Sequence, residues 1–93
     1  MIYVLVRHKV KDYEKWKPVF DAQNAARKST GEKGGKLLHN IDDHNEMIIY
    51  FKWDTVENAR KFYESEDLKA AMQKGGVVDK PDIFFLEEIE NIK

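Results

Sequence analysis

Lys36-Leu37-Leu38-His39-Asn40-Ile41-Asp42-Asp43-His44-Asn45-Glu46-Met47-Ile48-Ile49-Tyr50-Phe51-Lys52-Trp53 is the stretch on which the fold turns. Two runs rich in β-formers flank Asp42-Asp43-His44-Asn45, whose short polar side chains favour a turn. A strand over 36–41, a turn over 42–45 and a strand over 46–53 therefore pair as a hairpin. On its N-terminal side, Gly34 and Gly35 read as a flexible link. Before them Tyr13, Trp16, Val19 or Phe20, and Ala26 recur at helical spacing and give one apolar stripe. Pro18 interrupts that stripe, because it lacks an N–H and biases Lys17 away from the α region. The spacing predicts a short turn over 12–16 capped by Asp12, then a main helix with Pro18 in its first turn, ending near Gly31. Residues 2–10 form the first strand, and the unbroken run Tyr3-Val4-Leu5-Val6 suits a central strand buried on both faces.

On the C-terminal side, Asp54 and Glu57 read as a capping pair. The helix that follows carries Val56, Ala59, Phe62 and Tyr63 on its inner face. Ser65 reads as a second N-cap, for a segment over 66–74 bearing Leu68, Ala71 and Met72 and ended by Gly75-Gly76. Pro81 precedes a last strand over 83–89. No repeat, low-complexity stretch or linker divides the chain, so the reading is one domain over 1–93.

The order βαββαβ, with right-handed crossovers, gives an α+β ferredoxin-like fold: a four-stranded sheet with its helices on one face. The other face should then alternate towards polar residues. Three strands are instead apolar at both parities: Val4 and Leu5, Ile48 and Ile49, Phe84 and Phe85. Leaving several such side chains in water forgoes several kcal/mol at about 25 cal/mol per Å². A second copy of the sheet is the economical cover, so a homodimer through the sheet face is expected, with Phe84 or Phe85 in contact.

Composition narrows the functional classes. Sixteen basic residues oppose 17 acidic ones, a net charge of -1, which predicts no attraction to nucleic acid or to an anionic membrane. There is no cysteine, so disulfides and thiolate chemistry are excluded. No apolar run reaches the roughly 20 residues that span a bilayer. The first ten residues lack the pattern of a secretory signal, and a cytoplasmic location follows by default. Phosphate-cradling and nucleophile-elbow motifs are absent, and the three histidines lack helix-ligand spacing, so no metal site is expected.

Several stretches together carry a likeness: residues 3–10 followed by Lys11-Asp12-Tyr13-Glu14-Lys15-Trp16, then Gly34-Gly35-Lys36, residues 40–43 with Asn45-Glu46, Phe51-Lys52-Trp53-Asp54, and Val77-Val78-Asp79-Lys80-Pro81-Asp82. The chain resembles the dimeric α+β barrel superfamily, in particular the small antibiotic-biosynthesis-monooxygenase-like and cyclase-like proteins. The resemblance implies a pocket between sheet and helices in each subunit. Related oxygenases use no metal or flavin and hold an electron-rich phenol or quinol with Asn, Tyr, Trp and sometimes His. The haem-degrading branch supplies an axial His from its second helix, and residues 55–73 contain none, so no haem and no other cofactor is expected.

His8 shares parity with Val4, Val6 and Val10, so it points into an apolar environment, either as a general base or as a strand-end His bonded to the backbone. His39 and Asn40 must face opposite sides of their strand. Asn40 is the candidate donor to a developing oxyanion, or else satisfies the hairpin backbone. His44 sits in the polar turn. Trp16, Phe20, Trp53 and Tyr63 read as pocket walls or as ordinary core, and Tyr50 adds a hydroxyl that needs a partner. Arg7 is expected to pair across strands with Glu87 or Glu88. The reading is a dimeric barrel binding an aromatic or apolar metabolite for cofactor-independent oxygenation or a cyclase/isomerase-type proton transfer; the alternative is a non-catalytic ligand-binding or structural dimer.

Overall fold

The computed structural model describes residues 2–93. The elements run β1 (Ile2–Lys9), α1 (Tyr13–Ala22), α2 (Asn24–Thr30), β2 (Glu32–Asn40), β3 (Asp43–Trp53), α3 (Val56–Tyr63), α4 (Glu66–Lys74) and β4 (Asp82–Glu87). The strands form one antiparallel sheet in the order β2-β3-β1-β4. One face carries Val4, Val6 and His8 from β1 and Met47, Ile49, Phe51 and Trp53 from β3, all buried. Trp16 of α1, Arg27 of α2, Ala59, Phe62 and Tyr63 of α3 and Leu68 of α4 pack on it, so all four helices lie on that face. The opposite face carries Tyr3, Leu5, Ile48 and Tyr50, half-buried, and Leu38, Phe84 and Leu86, exposed. No helix among the described residues is long and apolar enough to cross a membrane.

Capping side chains fix where the helices begin. Asp12 accepts from the Glu14 N–H at 3.0 Å, and Ser65 accepts from the Leu68 N–H at 3.2 Å. The third cap is Thr55, not Asp54: Thr55 Oγ1 accepts from Asn58 N–H, whereas the Asp54 carboxylate is occupied by Thr55 N–H and the Asn58 amide.

Four further expectations are corrected. The first helix begins at Tyr13, so Pro18 lies inside it rather than in its first turn. The break comes later, at Gln23, because the Phe20 carbonyl is diverted to Gln23 N–H and to the Arg27 guanidinium, both at 3.1 Å. Gly34 and Gly35 are not a link but part of β2, where one extra residue bulges between Glu32 and Gly35. Gly34 takes φ +118°, and a Cβ at Gly35 would stand 2.0 Å from the Tyr50 carbonyl oxygen. Arg7 pairs with Glu46 and Asp82 rather than with Glu87 or Glu88, because Asp82 is its register partner on β4. Finally, Phe85 faces the helices opposite Val4, which leaves Phe84 as the residue on the outer face.

Candidate functional site

β1 places the central imidazole. Alternation along Val4, Val6 and His8 turns all three towards the helices, and His8 is 2% exposed. Its ring meets the edge of Trp16 at 5.5 Å between centroids, and its Nδ1 has no hydrogen-bond partner. Trp16 stacks on Phe20 at 4.8 Å, one helical turn further along α1. Phe20 in turn lies 6.3 Å from Phe51 of β3. These aromatics wall a cavity of about 40 Å³, bordered on the other side by Tyr63 of α3 and by Leu68 and Met72 of α4.

Arg27 of α2 completes the wall, and sequence patterning missed it. It is 5% exposed, with its guanidinium 4.2 Å above Phe20 and 5.2 Å from Phe51. The signal available was its place four residues before Gly31, on the same helical side as Phe20, seven positions earlier.

Of the expected site residues, His8, Trp16, Phe20 and Tyr63 meet at this cavity. The others lie elsewhere. Asn40 donates its amide to Glu46 Oε1 at 2.7 Å and accepts from Asp42 N–H at 2.8 Å, which ties it to the hairpin rather than to His8. Tyr50 lies on the outer face, stacked on Tyr3 at 5.3 Å. Trp53 is wholly buried between Phe62 and Tyr63 and belongs to the core. His39 stacks on His44 at 4.1 Å in a separate groove with Tyr13 and Met47.

Burial pushes the His8 imidazole below its usual pKa, opposed by the charge of Asp79, whose carboxylate accepts from Lys9 N–H at 3.0 Å. A neutral imidazole near pH 7 is a ready proton acceptor. Burial pushes the Tyr63 phenol up, so it stays protonated, and its hydroxyl also has no partner. His8, Tyr63 and Arg27 thus border one aromatic-walled cavity. Among the described residues no three His, Asp or Glu side chains gather as a metal centre needs.

A ferredoxin-like sheet of this order, with helices on one face, is shared with solved structures of antibiotic-biosynthesis-monooxygenase-like proteins. They include SnoaB of Streptomyces nogalater, described as a cofactor-independent oxygenase (TM-score 0.77, 13% identity, 98% of this chain and 95% of that one). A candidate antibiotic biosynthesis monooxygenase of Bordetella bronchiseptica matches at TM-score 0.77 and 15% identity over 96% of this chain and 97% of its own. The ActVA-Orf6 monooxygenase of Streptomyces coelicolor, solved with nanaomycin D, matches at 0.68 and 12% over 99% and 90%. Identities this low establish a shared fold. No family model matches the sequence. A candidate heme-binding protein of Haloarcula marismortui is 36% identical over 58 residues, 60% of this chain but 9% of that relative, so the chain spans under a tenth of its length. The cavity beside His8 does not fit a haem: it is water-sized, and α3 and α4 contain no histidine.

Proposed function

We propose that this chain binds a small aromatic or apolar metabolite between sheet and helices, and that it works as a homodimer packed through the outer faces of two sheets. The observation that carries the ligand reading is the unpartnered Nδ1 of buried His8 at an aromatic-walled cavity. A buried polar atom without a partner costs about 1–3 kcal/mol, and a ligand hydroxyl would satisfy it. His8 would take a proton from an acidic O–H or C–H of the ligand. The Tyr63 hydroxyl, kept protonated by burial, is the donor for the oxyanion that develops, in place of Asn40. The deprotonated ligand would then react with oxygen without a cofactor, or be reprotonated elsewhere in a cyclase- or isomerase-type step. The shared fold with a cofactor-independent oxygenase supports the first course.

Native mass spectrometry of protein purified from its own cells tests the reading by looking for a retained small molecule. His8→Ala should abolish that retention or the turnover of the molecule found, with the dimer intact. Loss of stability with unchanged retention would remove His8 from the site. One observation favours the rival reading, a structural dimer: the cavity is only about 40 Å³, room for one or two waters. That reading forecasts no retained ligand, and a His8→Phe variant at least as stable as the parent.

A further inference from the structure

Behind the Phe20–Arg27 wall lies a second hollow. It is a groove of about 370 Å³ between α2 and the start of β2, and Phe20, Arg27, Ile49 and Phe51 border both spaces. The inner cavity alone is too small for a metabolite. The groove falls within the roughly 300–1,000 Å³ of small-molecule sites. A ligand that lifts the Phe20 ring would join the two.

The charges at this wall are unequal. Arg27 is nearly fully buried, yet its Nε has no hydrogen-bond partner, and its Nη1 donates to the Phe20 carbonyl at 3.1 Å. The nearest carboxylate is that of Glu32, itself 4% exposed. Its Oε2 already accepts from Lys28 Nζ at 2.7 Å and from Gly34 N–H at 2.6 Å. Its Oε1 stands 3.6 Å from Arg27 Nε, an ion pair without a hydrogen bond. Two cations therefore share one carboxylate. Lys17, also on the groove, is matched by Asp21, and Lys36, at the groove's edge, stands opposite Tyr50 on the outer sheet face and so outside this count. One positive charge is left over, on a planar fork of donors suited to a carboxylate.

We propose that Arg27 anchors the carboxylate of an aromatic acid, whose apolar body crosses Phe51 and Ile49 towards His8. A monoanion balances the surplus charge, whereas a phosphate dianion would overshoot it. The proposal rests on the ligand pocket proposed above and adds the class of its occupant.

Calorimetric titration with 2-naphthoate and its neutral isostere 2-naphthamide tests it. The acid should bind roughly tenfold tighter than the amide, the worth of one charge-assisted pair. Glu32→Gln removes the competing carboxylate and should tighten naphthoate several-fold while leaving naphthamide unchanged. Lys28→Gln frees Glu32 for Arg27 and should weaken naphthoate alone. Arg27→Gln should erase the preference for the acid; if that variant does not fold, the Glu32 and Lys28 variants decide. Equal affinities for acid and amide, or an acid-to-amide ratio unmoved by Glu32→Gln, would overturn the anchor while the pocket stands. Binding of neither probe would overturn both.

Discussion

His8 couples the site to pH through its burial. Its folded pKa lies below the value of about 6.5 that the unfolded chain keeps, with desolvation the main cause. Between those two values the unfolded chain binds a proton that the folded chain does not, so stability falls as pH falls. The contribution is fully present above about pH 6.5, is lost as pH drops through the folded value, and then levels off. Urea denaturation across pH 7.5 to 5 should show this slope, and His8→Gln should flatten it; an unaltered slope would mean that other groups set it. That His8 shares a face with Val4 and Val6 was legible because strand alternation is strict, but which face the helices cover was not, since Tyr3 and Leu5 make the other parity apolar too. The same rule allowed only one of His39 and Asn40 to face the helices. Arg27 was not legible, because a charged residue in the polar run Asn24–Thr30 reads as solvated until the fold brings Glu32 and Phe51 against it. Tyr50 was misread for a related reason: in a run apolar at both parities, sequence does not say which parity meets the helices.

Two elements carry their own tests. Pro18 stands inside α1, where it removes the N–H that would bond to the Glu14 carbonyl. Pro18→Ala should raise stability, by up to about 3 kcal/mol, seen as a higher denaturation midpoint. A fall would mean that the helix bend set by Pro18 is needed to seat Trp16 and Phe20. Gly35 is the opposite case. The bulge presses its Cα against β3, so Gly35→Ala should cost about 1–3 kcal/mol through a displaced Tyr50 carbonyl. Gly34, with open space around it, should show backbone strain alone. Both residues look like a linker in sequence because glycine is what links and bulges share. What separates them is the pairing of Gly35 with Phe51, a contact no local pattern encodes. The hairpin itself was legible from its flanking β-formers, but its turn was misplaced: β3 begins at Asp43, so Asp43, His44 and Asn45 lie in the strand and the turn falls at Ile41-Asp42. Asp12 and Ser65 were legible as caps, each adjacent to the helix it starts.

At the scale of the whole molecule, the outer sheet face divides. One end is polar, with Arg7 between Glu46 and Asp82 and Lys9 beside Asp43. An apolar band runs from Leu38 through Ile48 and Leu5 to Phe84, which is 50% exposed, with Lys36 and Lys52 beside it in register with Tyr50 and Tyr3. If two such faces pack together as proposed, Leu5→Glu or Phe84→Glu should halve the mass measured by light scattering at micromolar concentration, whereas Phe85→Leu, on the helix side, should leave it unchanged. A parent chain already of monomer mass would refute the dimer. Sheet order has a consequence for how the chain acquires its shape. β1 lies in the interior of the sheet, yet its neighbours β3 and β4 come late in the chain: Ile2 pairs with Trp53 on one side and with Glu87 on the other. Contacts so distant in sequence slow folding, because loop closure must precede their reward. During synthesis the Tyr3-Val4-Leu5-Val6 run emerges ahead of both β3 and β4 and stays without its second neighbour until β4 follows. Over that interval it is an unpaired, β-prone segment, and the nascent protein is at its most vulnerable to aggregation before β4 has been made.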